Sequence, residues 1–328
     1  MALLNTELDR KGPGLLLRDI VSDKDEQVAA VVDLLVAAEA DIVLLLRFDW
    51  DLDGAALNAF ADRLFKAGLD YPHRLALRPN TGLGTGLDLD GDGRFEGPRD
   101  AQGYGLFPGQ NGMALLSRLP IDRAGVIDLS DLLWRDLPGA EMPVTAAGGP
   151  YPSEDAQAAQ RLSSVGHWAV PIRLASGEQI AVLAYHASPP VFDGPEDANG
   201  LRNADEQRLW RSFLESRLAT PPPKLPVVLI GGANVDPNRG EGRRDVLKEL
   251  LSWDRLQDPE PQGDAPVADA TVDWRGITDP PYLRVDYVLP DQVFEVLGSG
   301  VLWPPEPARG ELVKHGLVWV DLVLPPGR

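Results

Sequence analysis

Residues 41–48 read Asp-Ile-Val-Leu-Leu-Leu-Arg-Phe, a strand-length run in which apolar side chains do not alternate with polar ones. Such a strand is covered on both faces, so its sheet must have a packing partner on each side. The segment just before it, DKDEQVAAVVDLLVAAEA (residues 23–40), has helical apolar spacing, with Ser22 the expected N-cap and Asp25 at the third helical position. GAALNAFADRLFKAG, from Gly54 to Gly68, reads as a second helix that stops at a glycine. Further strands are expected at Leu3–Leu4, Met113–Ser117, His167–Leu174, Gln179–Ala187, Pro226–Ile230, Arg284–Leu289, Glu295–Leu302 and Leu317–Leu324. Further helices are expected at Asn203–Leu218 and Arg243–Trp253. Many strands follow one another without a helix between them, so a layered α/β domain with mixed sheets fits better than a strictly alternating fold.

Residues 69–111 interrupt this pattern. They show little periodicity and hold nine glycines between Gly82 and Gly109. An irregular stretch of that length needs a tether or a function. No other segment divides the chain, so residues 1–328 read as one domain with a Gly/Asp-rich insertion at about 69–111. Within it, Asp88-Leu-Asp90-Gly-Asp92-Gly93 has the opening of a calcium loop, with Glu96 at the ninth position and Arg99 where a closing Glu is normal. Asp100 is the substitute for that last ligand. A structural Ca2+ held by Asp88, Asp90, Asp92 and Glu96 is one reading, and a solvated acidic turn is the other.

The formal charge is 31 − 50 = −19, which disfavours long nucleic acid as a partner. The chain has no cysteine, which removes disulfides, thiolate metal sites and a cysteine nucleophile. No apolar run reaches the roughly 20 residues that cross a bilayer. MALLNTELDR does not read as a signal peptide, and an earlier-removed leader stays open. Of four histidines, His73 and His167 lie in patterned segments and read as structural. His186 ends an apolar strand and enters a loop rich in Asp, Asn and Arg, while His315 immediately precedes a strand. Both are candidates for a site at a sheet rim. Asp286 sits inside an apolar strand and needs a partner, either a histidine or Arg284. Asn234 ends VVLIGGAN.

In this order, Asn5, DIVLLLRFDWD, GMALLSRLPI, AYHASPPVFDGPEDANGLRNADE, VVLIGGANVDP, RVDYVLP and VKHGLVWVDL resemble the landmarks of the endonuclease/exonuclease/phosphatase superfamily, over nearly the whole chain. The resemblance implies the deoxyribonuclease-I-like fold, a four-layer sandwich of two mixed β-sheets flanked by helices. It implies a phosphoesterase, cleaving phosphodiesters or phosphomonoesters with Mg2+ or Mn2+ and an activated water. Carried over by position, Asn5, His186, Asn234, Asp286 and His315 are the catalytic candidates, and Asn203 faces the site. Three positions depart: the expected metal-binding Glu is Arg47, the Asp of Gly-Asp-x-Asn is Gly232, and the Asp before the last histidine is Lys314. One reading recruits Asp49, Asp51, Asp193, Asp197 or Asp236 as substitute acids. A second makes the chain an inactive relative that binds a small phosphoester or other anion through Arg47 and Lys314. A third has His186 and His315 act as acid and base without metal. Relatives sharing VFDGPED imply a periplasmic or extracellular location; the oligomeric state is not encoded in the sequence.

Overall fold

The computed structural model describes residues 1–325. In chain order the first elements are β1 (Ala2–Leu8), α1 (Leu15–Ser22), α2 (Glu26–Ala38), β2 (Ile42–Phe48), α3 (Ala55–Lys66), β3 (His73–Leu75) and β4 (Gly112–Ser117). The middle of the chain adds β5 (Ile127–Asp128), α4 (Glu154–Ala159), β6 (His167–Arg173), β7 (Gln179–His186), α5 (Ala198–Leu214) and β8 (Val227–Gly232). The last part carries α6 (Arg244–Leu251), β9 (Val272–Asp273), β10 (Tyr282–Leu283), β11 (Asp286–Pro290), β12 (Glu295–Leu302) and β13 (Leu317–Val323).

The strands form a six-stranded sheet, β12-β13-β1-β2-β4-β3, a five-stranded sheet, β11-β8-β7-β6-β5, and a small β10-β9 pair. Only β1–β2 and β7–β8 run parallel, so both large sheets are mixed. The apolar run of β2 shows why they stack. Leu44 and Leu46 point between the sheets, packing with Leu3, Leu115, Trp168, Val182, Ile230 and Val288. Val43 and Leu45 point the opposite way, onto Leu16, Val28, Val31 and Phe60 of α1–α3. The second sheet repeats the pattern, its outer residues Leu183, Leu229 and Leu289 packing on Leu209, Trp210 and Phe213 of α5 and Leu247 of α6. Helix, sheet, sheet, helix is the four-layer order that two-faced strands demand. Among the described residues, no helix is long and apolar enough to cross a membrane.

The expected strands form to within two residues at each end, except the first, which runs four residues past Leu4 to Leu8. The start of α2 differs: Asp25 is its N-cap, its carboxylate accepting from Val28 N at 2.8 Å, whereas Ser22 closes α1. The insertion is held chiefly by side-chain amides. Asn80 Nδ2 donates to Ser130 O and Ser163 O at 2.7 and 2.8 Å, and Gln102 bridges Ala159 O and Arg161 N at 2.9 and 2.7 Å. Its backbone also lies directly on its neighbours: a Cβ on Gly82 would overlap the Phe107 carbonyl, and one on Gly103 the Ser164 carbonyl.

Candidate active site

The rim of the sandwich where β1, β2, β7 and β8 end collects the candidate residues. Register makes this unavoidable: Gly232 pairs with His186 across the parallel β7–β8 ladder and with Asp286 across antiparallel β8–β11. Asn5 pairs with Leu46, one residue before Arg47. His315 reaches the same rim through a bridge to Val272. Several residues here adopt the left-handed backbone that non-glycine residues avoid: Glu7 (φ 49°), Arg47 (φ 53°) and Asn234 (φ 55°). Such conformations cost about 1–3 kcal/mol each and persist where surrounding contacts over-determine them.

The expected carboxylate–imidazole pair is present. His315 Nδ1 lies 2.6 Å from Asp286 Oδ2, with both side chains 2% exposed. Arg284 is not the partner of Asp286; it points to the other side of the strand and binds Asp258 at 2.5 Å. His186 is buried, and burial, with the charges of Arg47 and His315 adding to it, pushes its imidazole down to about 3. It is therefore neutral near pH 7. Asn234 Nδ2 donates to Ala187 O at 2.7 Å and lies 3.4 Å from His186 Nε2. Asn5 is buried, and neither its Oδ1 nor Asp286 Oδ1 has a hydrogen-bond partner among the described residues. His73 is half-buried on β3, away from this rim. His167 is fully buried between Ser163 Oγ (2.5 Å) and Glu206 O (3.0 Å), as a structural histidine should be.

Three expectations need correction. Arg47 and Lys314 are not free cations. Arg47 Nη1 binds Glu7 Oε1 at 2.8 Å, Arg47 Nη2 binds Asp9 Oδ1 at 2.7 Å, and Lys314 Nζ binds Glu7 Oε2 at 3.0 Å. Burial would raise the Glu7 carboxyl, but the charges of His315, Arg47 and Lys314 outweigh it and hold the group below its ordinary range. Asn203 does not face a ligand. It is fully buried, and its Nδ2 donates to Ser188 O and Ala233 O at 2.6 and 2.7 Å, tying the loop after His186 to the residue before Asn234. In the insertion, the carboxylates that converge within 4.8 Å of one another are those of Asp88, Asp90 and Asp100. Asp92 instead accepts from Arg94 N at 2.8 Å, and neither it nor Glu96 joins the group.

The substitute acids are all committed elsewhere. Asp49 accepts from Arg10 N and Asn111 N, and Asp51 from Ala55 N and Ala56 N at the start of α3. Asp193 accepts from Asn199 N, and Asp197 binds Arg243 at 2.8 Å. Asp236 takes the backbone N–H groups of Asn238, Arg239 and Arg284. Position 232 is closed as well: a Cβ there would stand 2.9 Å from both His186 Cδ2 and Leu46 Cδ1. A divalent ion needs several oxygen ligands and negative counter-charge. Here Glu7, Asp9, Arg47 and Lys314 sum to −1 − 1 + 1 + 1 = 0, and the site's own residues do not fit the family's metal.

Two residues that matter were not expected from sequence. Glu7 sits where the β1–β2 register shifts, between Asn5 and Leu8, so it leaves the ladder and reaches the rim. Glu206, fully buried in α5, accepts from the N–H and hydroxyl of both Ser164 and Ser188 at 2.6–2.8 Å. It thereby fixes the backbone just beyond His186. The readable signals were the charges Glu7 and Asp9 at the end of an apolar strand, and a helix (ANGLRNADEQRLWRSFL) without an apolar stripe.

Solved structures place the fold. An endonuclease/exonuclease/phosphatase from Beutenbergia cavernae is 19% identical, covering 98% of this chain and 70% of that one, with a TM-score of 0.56. A family protein from Leptotrichia buccalis is 14% identical over 98% of each chain, with a TM-score of 0.55. Sphingomyelinase C from Streptomyces griseocarneus is 17% identical, covering 97% of this chain and 96% of that one, with a TM-score of 0.52. No curated protein sequence matches the chain. The model of the Endonuclease/Exonuclease/phosphatase family matches residues 19–314. That span runs from α1 to the residue before His315, and the chain belongs to the endonuclease/exonuclease/phosphatase family.

Proposed function

We propose that this chain is a non-hydrolysing relative of the family's phosphoesterases, with the scaffold and the His315–Asp286 pair kept and the metal-dependent step lost. One observation carries this reading: a guanidinium and an ammonium, both paired to Glu7, stand where the resemblance expects metal-binding carboxylates. The closed space at Gly232 supports it, because no acid can be seated there to orient a water without moving His186 or Leu46. The neutral, buried His186 can accept a proton only weakly, which leaves little driving force for metal-free catalysis.

The test is hydrolysis of phosphodiester and phosphomonoester panels with Mg2+, Mn2+ or Ca2+, and again with chelator. No turnover is expected under any condition. Turnover that needs Mg2+ and vanishes with chelator would refute the reading. What this centre retains is the capacity to hold a small anion, favoured by the residual exposure of Arg47 (33%) and Lys314 (28%). The net charge of −19 directs that capacity to small phosphoesters rather than polynucleotides.

A further inference from the structure

The strongest unexplained feature is the way one carboxylate is shared. Glu7 gives one oxygen to each cation, Oε1 to Arg47 Nη1 at 2.8 Å and Oε2 to Lys314 Nζ at 3.0 Å. This is how a phosphate would bridge a guanidinium and an ammonium. The two acids around Arg47 are not equivalent. Asp9 holds the far edge of the guanidinium, through Nε at 2.8 Å and Nη2 at 2.7 Å, and so fixes its orientation. Glu7 takes the remaining edge, the one turned towards Lys314. Glu7 also lies in the β1–β2 irregularity and has no ladder partner, so its side chain can leave without breaking the sheet.

We propose that Glu7 is a built-in counter-anion that closes the Arg47–Lys314 face, and that the ligand of this face is a phosphate monoester that takes the place of the Glu7 carboxylate. This rests on the metal-free reading of the centre. With Glu7 in place the four charges cancel, so a free dianion gains little by approaching. With Glu7 displaced, Asp9 orients Arg47, and the two cations present a net charge of +1 to the phosphate. Selectivity follows: a monoanionic carboxylate offers no more than Glu7 already supplies, whereas a dianionic phosphate does.

Inorganic phosphate, titrated calorimetrically in the presence of chelator, tests this. Glu7→Gln keeps the shape and removes the charge, and is expected to bind phosphate about tenfold or more tightly than the unaltered protein. Glu7→Asp, one methylene too short to span both cations, is expected to fall between them. It carries the comparison if Glu7→Gln does not fold. Adding Arg47→Met to Glu7→Gln is expected to return the affinity to the unaltered level. Equal phosphate affinity in the unaltered protein and the folded Glu7 variants would overturn the proposal, as would tight binding that survives Arg47→Met. Chelator-sensitive hydrolysis by the unaltered protein would instead overturn the functional reading, and the metal-free titrations separate the two failures.

Discussion

The side chains at the rim leave little freedom for repair. Gly232→Asp would restore the acid of the family motif, but its Cβ would press on His186 and Leu46 at 2.9 Å. We expect it to lower stability by about 1–3 kcal/mol, seen in urea unfolding, and to restore no hydrolysis. Arg47→Glu behaves differently, because it would place a third carboxylate beside Glu7 and Asp9. We expect it to bind Mn2+ more tightly than the unaltered protein in calorimetry; equal Mn2+ binding by both would contradict the account of the charge balance. The His315–Asp286 pair was legible in the sequence because a carboxylate in an apolar strand needs a partner. Glu7 was not, because a register shift between Asn5 and Leu8, which local sequence does not mark, moves it into the site.

Helix ends show the same division between what local sequence determines and what packing adds. Ser22 and Asp25 are both competent N-caps, and the pattern of apolar residues alone does not choose between them. The choice is made by α1, a helix that the preceding Gly-Pro-Gly concealed and that consumes Ser22 as its last residue. Asp25→Ala is therefore expected to cost about 1 kcal/mol in chemical denaturation, and Ser22→Ala close to nothing. In α5 polar side chains are buried beside Leu209, Trp210 and Phe213: Arg202 donates to the carbonyls of Leu162, Gln102, Arg161 and Ser163, and Glu206 accepts from Ser164 and Ser188. Burial raises the Glu206 carboxyl despite these donors and the nearby Arg202. Glu206→Ala would strand four donors and leave Arg202 without its counter-charge, and we expect a loss of about 3 kcal/mol or more in urea unfolding. The helix itself was legible over Asn203–Leu218, although it begins earlier, at Ala198; its buried polar contacts were not, since their partners are groups of distant loops.

Across the molecule, two fully packed imidazoles set the response to acid. Burial depresses both His167 and His186 to about 3, so the unfolded chain takes up protons below its ordinary value of 6.5 while the native state does not. Their contribution to stability is thus present above about pH 6.5 and is lost as pH falls. Asp49, raised to about 6 by burial, and Glu206 work in the opposite sense, because the folded state holds their protons more tightly. Glu7, held low, loses its contribution only below the ordinary carboxyl range. With two histidines moved by more than Asp49, we expect stability to be about 1–2 kcal/mol lower at pH 5 than at pH 7. Urea midpoints that stay level or rise towards pH 5 would contradict this. The layered architecture was the most readable property, since a strand buried on both faces requires a packing layer on each side of its sheet, and the family resemblance supplied the fourth layer. The order within the insertion was the least readable, because amides and backbone contacts scattered over the chain impose it. The seating of Gly82 and Gly103 against the Phe107 and Ser164 carbonyls inverts a common assumption about surface loops. Within a segment whose composition suggests free variation, these two positions would prove, in a saturation library, as intolerant of change as the strands.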